Sequence, residues 1–185
     1  NVEFGGQSPT AMFSIPITAP SAIISGDLTV NGTLTKQPIA FDCYNSLQGD
    51  DFTTSVDVPL NTVRFNSGQF TLTENEITVN VNIIASITFR VSVKIISGTS
   101  SASVSRSVLQ IDKGGGYEDE PGTFVYLYHE KINAGEGTAN CTIVSSLQIG
   151  DKLKILTLRI AGQNTLACAH NGCGMYITFL IWFVY

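Results

Sequence analysis

The chain has 185 residues, 43% of them hydrophobic and only 14% charged, with a formal net charge of −5. Globular chains average about 25% charged residues, so this surface must be covered by Thr, Ser, Asn and Gly, which abound, or by partners. The ten basic residues form no run interleaved with aromatics, which leaves no footing for nucleic-acid binding by phosphate neutralisation.

Residues 1–22 hold three prolines and no helical period. Pro fixes φ and removes a backbone donor, so this stretch reads as an extended arm. No signal peptide opens it and no Met precedes Asn1, as in a processed or partial product. Next comes IISGDLTVNGTLTKQ, with Ile24, Leu28, Val30 and Leu34 set among the turn signals SGD and NG. It predicts short strands joined by tight turns, a stalk that buries little alone and packs on neighbouring copies. The expected division is an arm and stalk over 1–36 and a head over 37–185.

From Pro38 every segment reads as strand. TVRFNSGQFTLT places Val63, Phe65, Phe70 and Leu72 around an Asn-Ser-Gly turn. EITVNVNIIASITFRVSVKII is one long β-branched stretch. In it Ile77, Val79, Val81 and Ile83 share a face and Thr78, Asn80 and Asn82 share the other. In SASVSRSVLQID, Val104, Arg106 and Val108 face one way. GTFVYLYHEKI, TANCTIVSSLQI, DKLKILTLRIA and GMYITFLIWFVY follow. No window carries an amphipathic helix with a cap. The expectation is an all-β antiparallel sandwich or jelly roll.

Four short motifs then resemble a known family, the jelly-roll heads of the complement-component-q and tumour-necrosis-factor superfamily. PIAFD at 38–42 is similar to its opening strand, SGQFT at 67–71 to its Gly-x-Phe-Thr strand, and SSLQIGDKLKILTL at 145–158 to its strand, Gly-Asp turn and strand. MYITFLIW at 175–182 resembles the closing strand. The pattern departs where the family has Pro-x-x-Gly-x-Tyr, here TENEITV, and where Ile181 replaces a Gly. The resemblance implies a compact homotrimer that binds and does not catalyse, and a stalk before the head. The complement group has a collagen repeat there, which this chain lacks. SGDLTVNGTLT instead is similar to turn-rich segments of viral and phage fibres and spikes. Together these imply a virion-surface attachment or capsid-associated protein. It would be anchored to other virion proteins by its N-terminal arm and would bind a cell-surface receptor or glycan. Two alternatives stand beside it: a secreted ligand or pattern-recognition head, and a carbohydrate-active sandwich enzyme. The enzyme predicts two carboxylates facing each other within about 10 Å.

Candidate sites follow. Cys168, His170 and Cys173 are good zinc ligands, with Cys43, Cys141 or His129 as a possible fourth. The competing readings are a Cys168–Cys173 disulfide or packed thiols at the base of an Asn171-Gly172 hairpin. The loop DKGGGYEDEPG, 112–122, groups Glu118, Asp119 and Glu120, an oxygen-rich set that suits calcium. With Tyr117, the same residues read as a receptor contact. QGDD at 48–51 is a lesser calcium candidate. Two His, and no Gly-x-Ser-x-Gly, P-loop or His-Glu-x-x-His, provide no catalytic set. The sequons at Asn31 and Asn140 fit chance in a chain rich in Asn and Thr.

The closing run MYITFLIWFVY is about half the roughly 20 residues of a membrane helix, and its aromatic and β-branched residues favour a strand. It is apolar on both faces. Tyr176, Leu180, Trp182 and Val184 are assigned to one, and Ile177, Phe179, Ile181 and Phe183 to the other. A strand buried on both faces needs a second partner, so Ile177, Phe179, Ile181 and Phe183 are expected at a trimer axis.

Overall fold

The computed structural model describes residues 39–98, 101–130 and 137–179. The arm and stalk assigned to 1–36, the sequon at Asn31, and Leu180, Ile181, Trp182, Phe183 and Val184 lie outside them. The described residues form fourteen strands and no helix. In chain order these are β1 (Ala40–Tyr44), β2 (Asp51–Phe52), β3 (Ser55–Asp57), β4 (Thr62–Asn66), β5 (Phe70–Thr73), β6 (Glu76–Val79) and β7 (Ile83–Ser97). They continue as β8 (Ser103–Asp112), β9 (Tyr117–Asp119), β10 (Val125–His129), β11 (Gly137–Leu147), β12 (Lys152–Ala161), β13 (Thr165–Cys168) and β14 (Gly174–Phe179).

Two antiparallel sheets face each other, as expected of a jelly-roll sandwich. The first runs β4–β1–β14–β7–β11, with β13 also on β7 and β2 outside β13. The second runs β5–β6–β12–β8–β10, with β3 on β12 and β9 on β8. Period-two alternation drives the layers together. Along β7, Ile83, Ala85, Ile87, Phe89, Val91, Val93 and Ile95 all point inward and are buried. Phe41, Met175 and Ile177 join them from the first sheet, and Ile77, Leu109, Ile111, Leu153 and Ile155 close the core from the second.

Two readings of the sequence are corrected here. The stretch 76–96 is not one strand: β6 lies in the second sheet and β7 in the first. The chain crosses between layers at Asn80–Asn82, where Asn80 Nδ2 donates to Thr71 Oγ1 and Asn82 Oδ1 accepts from the Ile149 N–H. The Asn-Ser-Gly turn likewise joins strands of different sheets, β4 and β5, and Phe65 is exposed while Phe70 is buried.

On β8, Val104, Arg106 and Val108 do share one face, as read; it is the outer one, with Val108 nonetheless fully buried, and Ser103, Ser105 and Ser107 point into the sandwich. A buried hydroxyl is tolerated when it is bonded. Ser105 Oγ lies 3.0 Å from His129 Nε2 and Ser107 Oγ lies 2.9 Å from Thr157 Oγ1. Ser103 Oγ accepts from the Asn164 N–H at 3.3 Å. One end of the interior is therefore polar. Burial holds the His129 imidazole below its ordinary pKa, that is, neutral.

Candidate functional site

The 112–122 segment is an ordered hairpin. β9 pairs with the end of β8, Asp112 opposite Tyr117 and Gln110 opposite Asp119. Asp112 Oδ1 accepts from the Gly114 and Gly116 N–H groups at 2.8 and 2.9 Å, with both glycines at positive φ. Those two donors hold the Asp112 carboxyl below its usual range. Neighbouring residues on a strand point to opposite sides, so the acidic run does not converge. Glu118 is exposed, whereas Asp119 turns back to Gln110 Nε2 at 2.8 Å and Arg106 at 3.9 Å. The Glu120 carbonyl accepts from Thr123 Oγ1. A calcium cage from Glu118, Asp119 and Glu120 is not assembled.

Tyr117 is half-buried at the head of a charged network. Its hydroxyl donates to Glu76, Lys152 Nζ lies 2.9 Å from Glu76, and Lys154 Nζ sits 4.3 Å above its ring and 3.0 Å from Asp57. The Tyr117 bond, then Lys152, hold the Glu76 carboxyl below its usual range. Burial and the Glu76 carboxylate push the Tyr117 phenol up. As a receptor contact, the set Tyr117, Glu118, Asp119 and Glu120 is thus split: Glu118 faces solvent, while Tyr117 and Asp119 brace the hairpin.

The stretch around Asn171-Gly172 is not a hairpin either. β13 and β14 both run antiparallel to β7, along the same edge of it. They form one strand line, broken by an excursion over 169–173. Asn171 takes φ 54°, a conformation Asn tolerates better than most residues. Gly172 leaves no space for a side chain, since a Cβ there would stand 2.5 Å from Ser92 Cβ. Asn45, fully buried, clamps the excursion. Its Nδ2 donates to the Ala169 carbonyl at 2.6 Å and its Oδ1 accepts from the Cys173 N–H at 2.8 Å. This geometry separates the zinc candidates: Cys168 and Cys173 are buried and His170 is exposed. His129 is bonded to Ser105 on β8, Cys43 stands on β1 opposite Met175, and Cys141 bonds to the Gly122 carbonyl. Among the described residues no three His, Cys, Asp or Glu are grouped to hold a metal ion. In 48–51, the Gly49 N–H donates to the Cys168 carbonyl while Asp50 and Asp51 face solvent.

The closing strand has its faces the other way round from the reading above. Ile177 is wholly buried in the sandwich core and Phe179 packs against that core, so neither faces outward. The outward residues are Tyr176 and Thr178. Tyr176 belongs to a row that crosses five strands: Phe65, Asp42, Tyr176, Thr88 and Thr142. Ile84 and Val144 extend this outer face, and with Phe65 and Tyr176 they are exposed apolar side chains. Arg64 lies 3.6 Å from Asp42 and 4.2 Å over the Tyr44 ring. Arg90 Nη2 donates to the Asn171 carbonyl at 2.9 Å. Asp42, Tyr44, Arg64, Arg90 and Tyr176 line a depression of about 240 Å³.

A second apolar surface lies on the outer side of β10, at the edge of the other sheet. Phe124, Tyr126 and Tyr128 are exposed there, the last two at 59% and 66%. Arg106 stands opposite Tyr126, its guanidinium 4.9 Å over Phe124. The alternation Phe124, Tyr126, Tyr128 against Val125, Leu127, His129 carries this strip in the sequence. Another depression, of about 450 Å³, is lined by residues 53–55 and 158–162 and holds no carboxylate.

No protein-family model matches the chain, and no curated protein does. Solved structures do. Murine APRIL at pH 5.0 superposes with a TM-score of 0.56 at 11% identity, over 78% of this chain and 100% of its own. Its crystal structure at pH 8.0 has the same TM-score at 12% identity and the same coverage. The globular domain of zebrafish complement 1qA protein aligns at 15% identity and a TM-score of 0.48, over 80% of this chain and 100% of its own. At such identity the likeness to APRIL is one of fold: the chain has a jelly roll of the tumour-necrosis-factor type.

Proposed function

We propose that the chain is a non-enzymatic binding head that assembles as a homotrimer and serves at a virion surface, as a spike, fibre or capsid-associated attachment protein. The observation that carries this is the pair of unlike apolar surfaces, the Phe65–Tyr176 row on the first sheet and the Tyr126–Tyr128 strip on β10. A two-fold dimer needs one self-complementary patch; a closed ring needs two different patches that meet head to tail. A chain with 14% charged residues places few charges in the way of such a contact. The depressions at 53–55/158–162 and beside Asp42 hold at most one carboxylate each, so neither offers the facing carboxylate pair of the sandwich-enzyme alternative. Glu118, held out by Tyr117 and Asp119, is the proposed receptor contact of its hairpin. The 1–36 segment is the proposed attachment to other virion proteins, on the strength of its fibre-like turns.

Light scattering on the eluting full chain tests the assembly. The wild type is expected as a trimer, and Tyr176→Asp and Tyr126→Asp each as a folded monomer. Mixed together, the two variants retain one intact pair of surfaces and should form a heterodimer only. A monomeric wild type, or trimeric variants, overturns the assembly. Its fold likeness to murine APRIL favours a second reading, an extracellular ligand or recognition head with the same trimer. Antibodies to the head, applied to intact particles, distinguish them: surface labelling supports the virion role, and head found only as soluble protein supports the second.

A further inference from the structure

Two thiols lie apart from the surfaces above, and their placement follows from the broken strand line. Cys168 stands opposite Val93 and Gly174 opposite Arg90. Cys173 therefore rejoins the line two positions along from Cys168, although four residues lie between them in sequence. Two positions of extended strand span about 6.7 Å, inside the Cα separation of roughly 4.4–6.8 Å that a disulfide accepts. Both side chains are fully buried in the same core cluster, the nearness of Cys173 pushes the Cys168 thiol pKa up, and the Cys173 Sγ lies 3.5 Å from the Ser92 carbonyl beside the line. The other two cysteines do not share the line. Cys43 is on β1 opposite Met175, and Cys141 is on β11 opposite Phe89.

The geometry points to Cys168 and Cys173 as a disulfide-forming pair that closes the 169–172 excursion under oxidising conditions. The oxidant is a small-molecule or protein disulfide of the glutathione type. One protein thiolate attacks it and releases its first thiol; the second protein thiolate then displaces the other half. Two protein thiols give up two protons and two electrons to become a bridge, and one external disulfide becomes two thiols. Because both thiols are buried, exchange occurs during folding or on local opening. The bridge fixes Asn171, whose carbonyl holds the Arg90 guanidinium, so it stiffens the outer face of the first sheet beside Tyr176.

The test refolds the full chain with a mixture of oxidised and reduced glutathione and, in parallel, with dithiothreitol. Each sample is then denatured in iodoacetamide. After dithiothreitol all four cysteines should be alkylated. After glutathione only Cys43 and Cys141 should be, with a Cys168–Cys173 link in the peptide map and a raised Tm that dithiothreitol reverses. Four alkylated cysteines in both samples, or a bridge through Cys43 or Cys141, overturns the inference. The Cys43→Ala/Cys141→Ala double variant must still bridge. Should that variant fail to fold, the wild-type peptide map decides alone.

Discussion

Asn45→Ala should be among the most destabilising changes of a polar residue in this chain. The Asn45 side chain makes three hydrogen bonds: Nδ2 to the Ala169 and Leu47 carbonyls at 2.6 and 2.9 Å, and Oδ1 from the Cys173 N–H at 2.8 Å. Leu47 is exposed, so water replaces its lost partner. Ala169 and Cys173 are fully buried. The Ala169 carbonyl still accepts from the Gly172 N–H at 3.0 Å, but the Cys173 N–H loses its Asn45 acceptor where water cannot reach it. Stripping a buried group of its partner costs about 1–3 kcal/mol. A domain has only about 5–15 kcal/mol in total. Asn61→Ala is the control. Asn61 Oδ1 also accepts three bonds, from Ser46 N, Ser46 Oγ and Thr62 Oγ1 at 2.8, 3.0 and 3.1 Å, but all are exposed. Its loss should lie within about 0.5 kcal/mol. Urea unfolding of both variants, read at a common m-value, gives the comparison. If the two costs differ by less than about 0.5 kcal/mol, burial of the Asn45 bonds is not what holds the excursion.

Tyr117→Phe removes the hydroxyl that donates to Glu76. The Glu76 pKa should return towards its ordinary 4.5, followed by NMR titration of its side chain, with a stability loss of about 1 kcal/mol at neutral pH after solvent screening. Because the folded pKa is depressed, this stability is fully present above 4.5 and fades as pH falls below it; a Glu76 titration unchanged by the variant would contradict the assignment. His129 is likewise depressed, from an ordinary 6.5, so its folded form binds fewer protons than its unfolded form. Stability should be complete above 6.5 and decline as pH drops through and below that value. His129→Gln retains a partner for Ser105 without titrating, and should flatten the Tm profile between pH 7 and 5; an equal slope in the variant refutes the role. Ile177→Asp, which puts a carboxylate into the core, should abolish folding as read by circular dichroism, in contrast to Tyr176→Asp one residue away. A well-folded Ile177→Asp protein would return that side chain to the surface.

Strand alternation made much of the sandwich legible. The odd positions of β7 from Ile83 to Ile95 are apolar and buried, with Ser92 the one even position buried beside them, and the Tyr126–Tyr128 strip follows the same period. What the sequence concealed depends on partners distant in the chain. Val104 looks like a core residue beside Ser105, yet it lies on the outer face; only His129 and Thr157, on other strands, make Ser105 and Ser107 an inward set. Met175 to Phe179 is apolar enough on both faces that a one-residue choice of face cannot be read from it. The choice was settled by pairing with β1 and β7, which sends Ile177 inward. The acidic run at 118–120 looked like a cage because adjacency in sequence was taken for adjacency in space, which a strand forbids.

The Asn171-Gly172 signal shows most clearly where local chemistry ends. Asn-Gly marks a hairpin because both residues tolerate positive φ, yet here Asn171 alone takes it and the chain continues in its original direction. A hairpin would send β14 back along β13. Instead β7 offers one long edge, and Asn45 satisfies the excursion's backbone from across the sheet. The same solution recurs in the second sheet. β9 and β10 both lie on one edge of β8, separated by residues 120–124, whose Thr123 Oγ1 accepts from the Leu109 N–H at 3.2 Å. In each sheet a long strand carries a broken partner, and a single buried polar side chain covers the break. Each break also presents surface residues: Asn171 holds Arg90 on the first outer face, and Phe124 lies under Arg106 on the second. The two proposed docking surfaces are therefore built where the ladders are interrupted. Stiffness of the 169–173 break, through Asn45 or through a Cys168–Cys173 bridge, should govern the first of them more than any change to its exposed side chains alone.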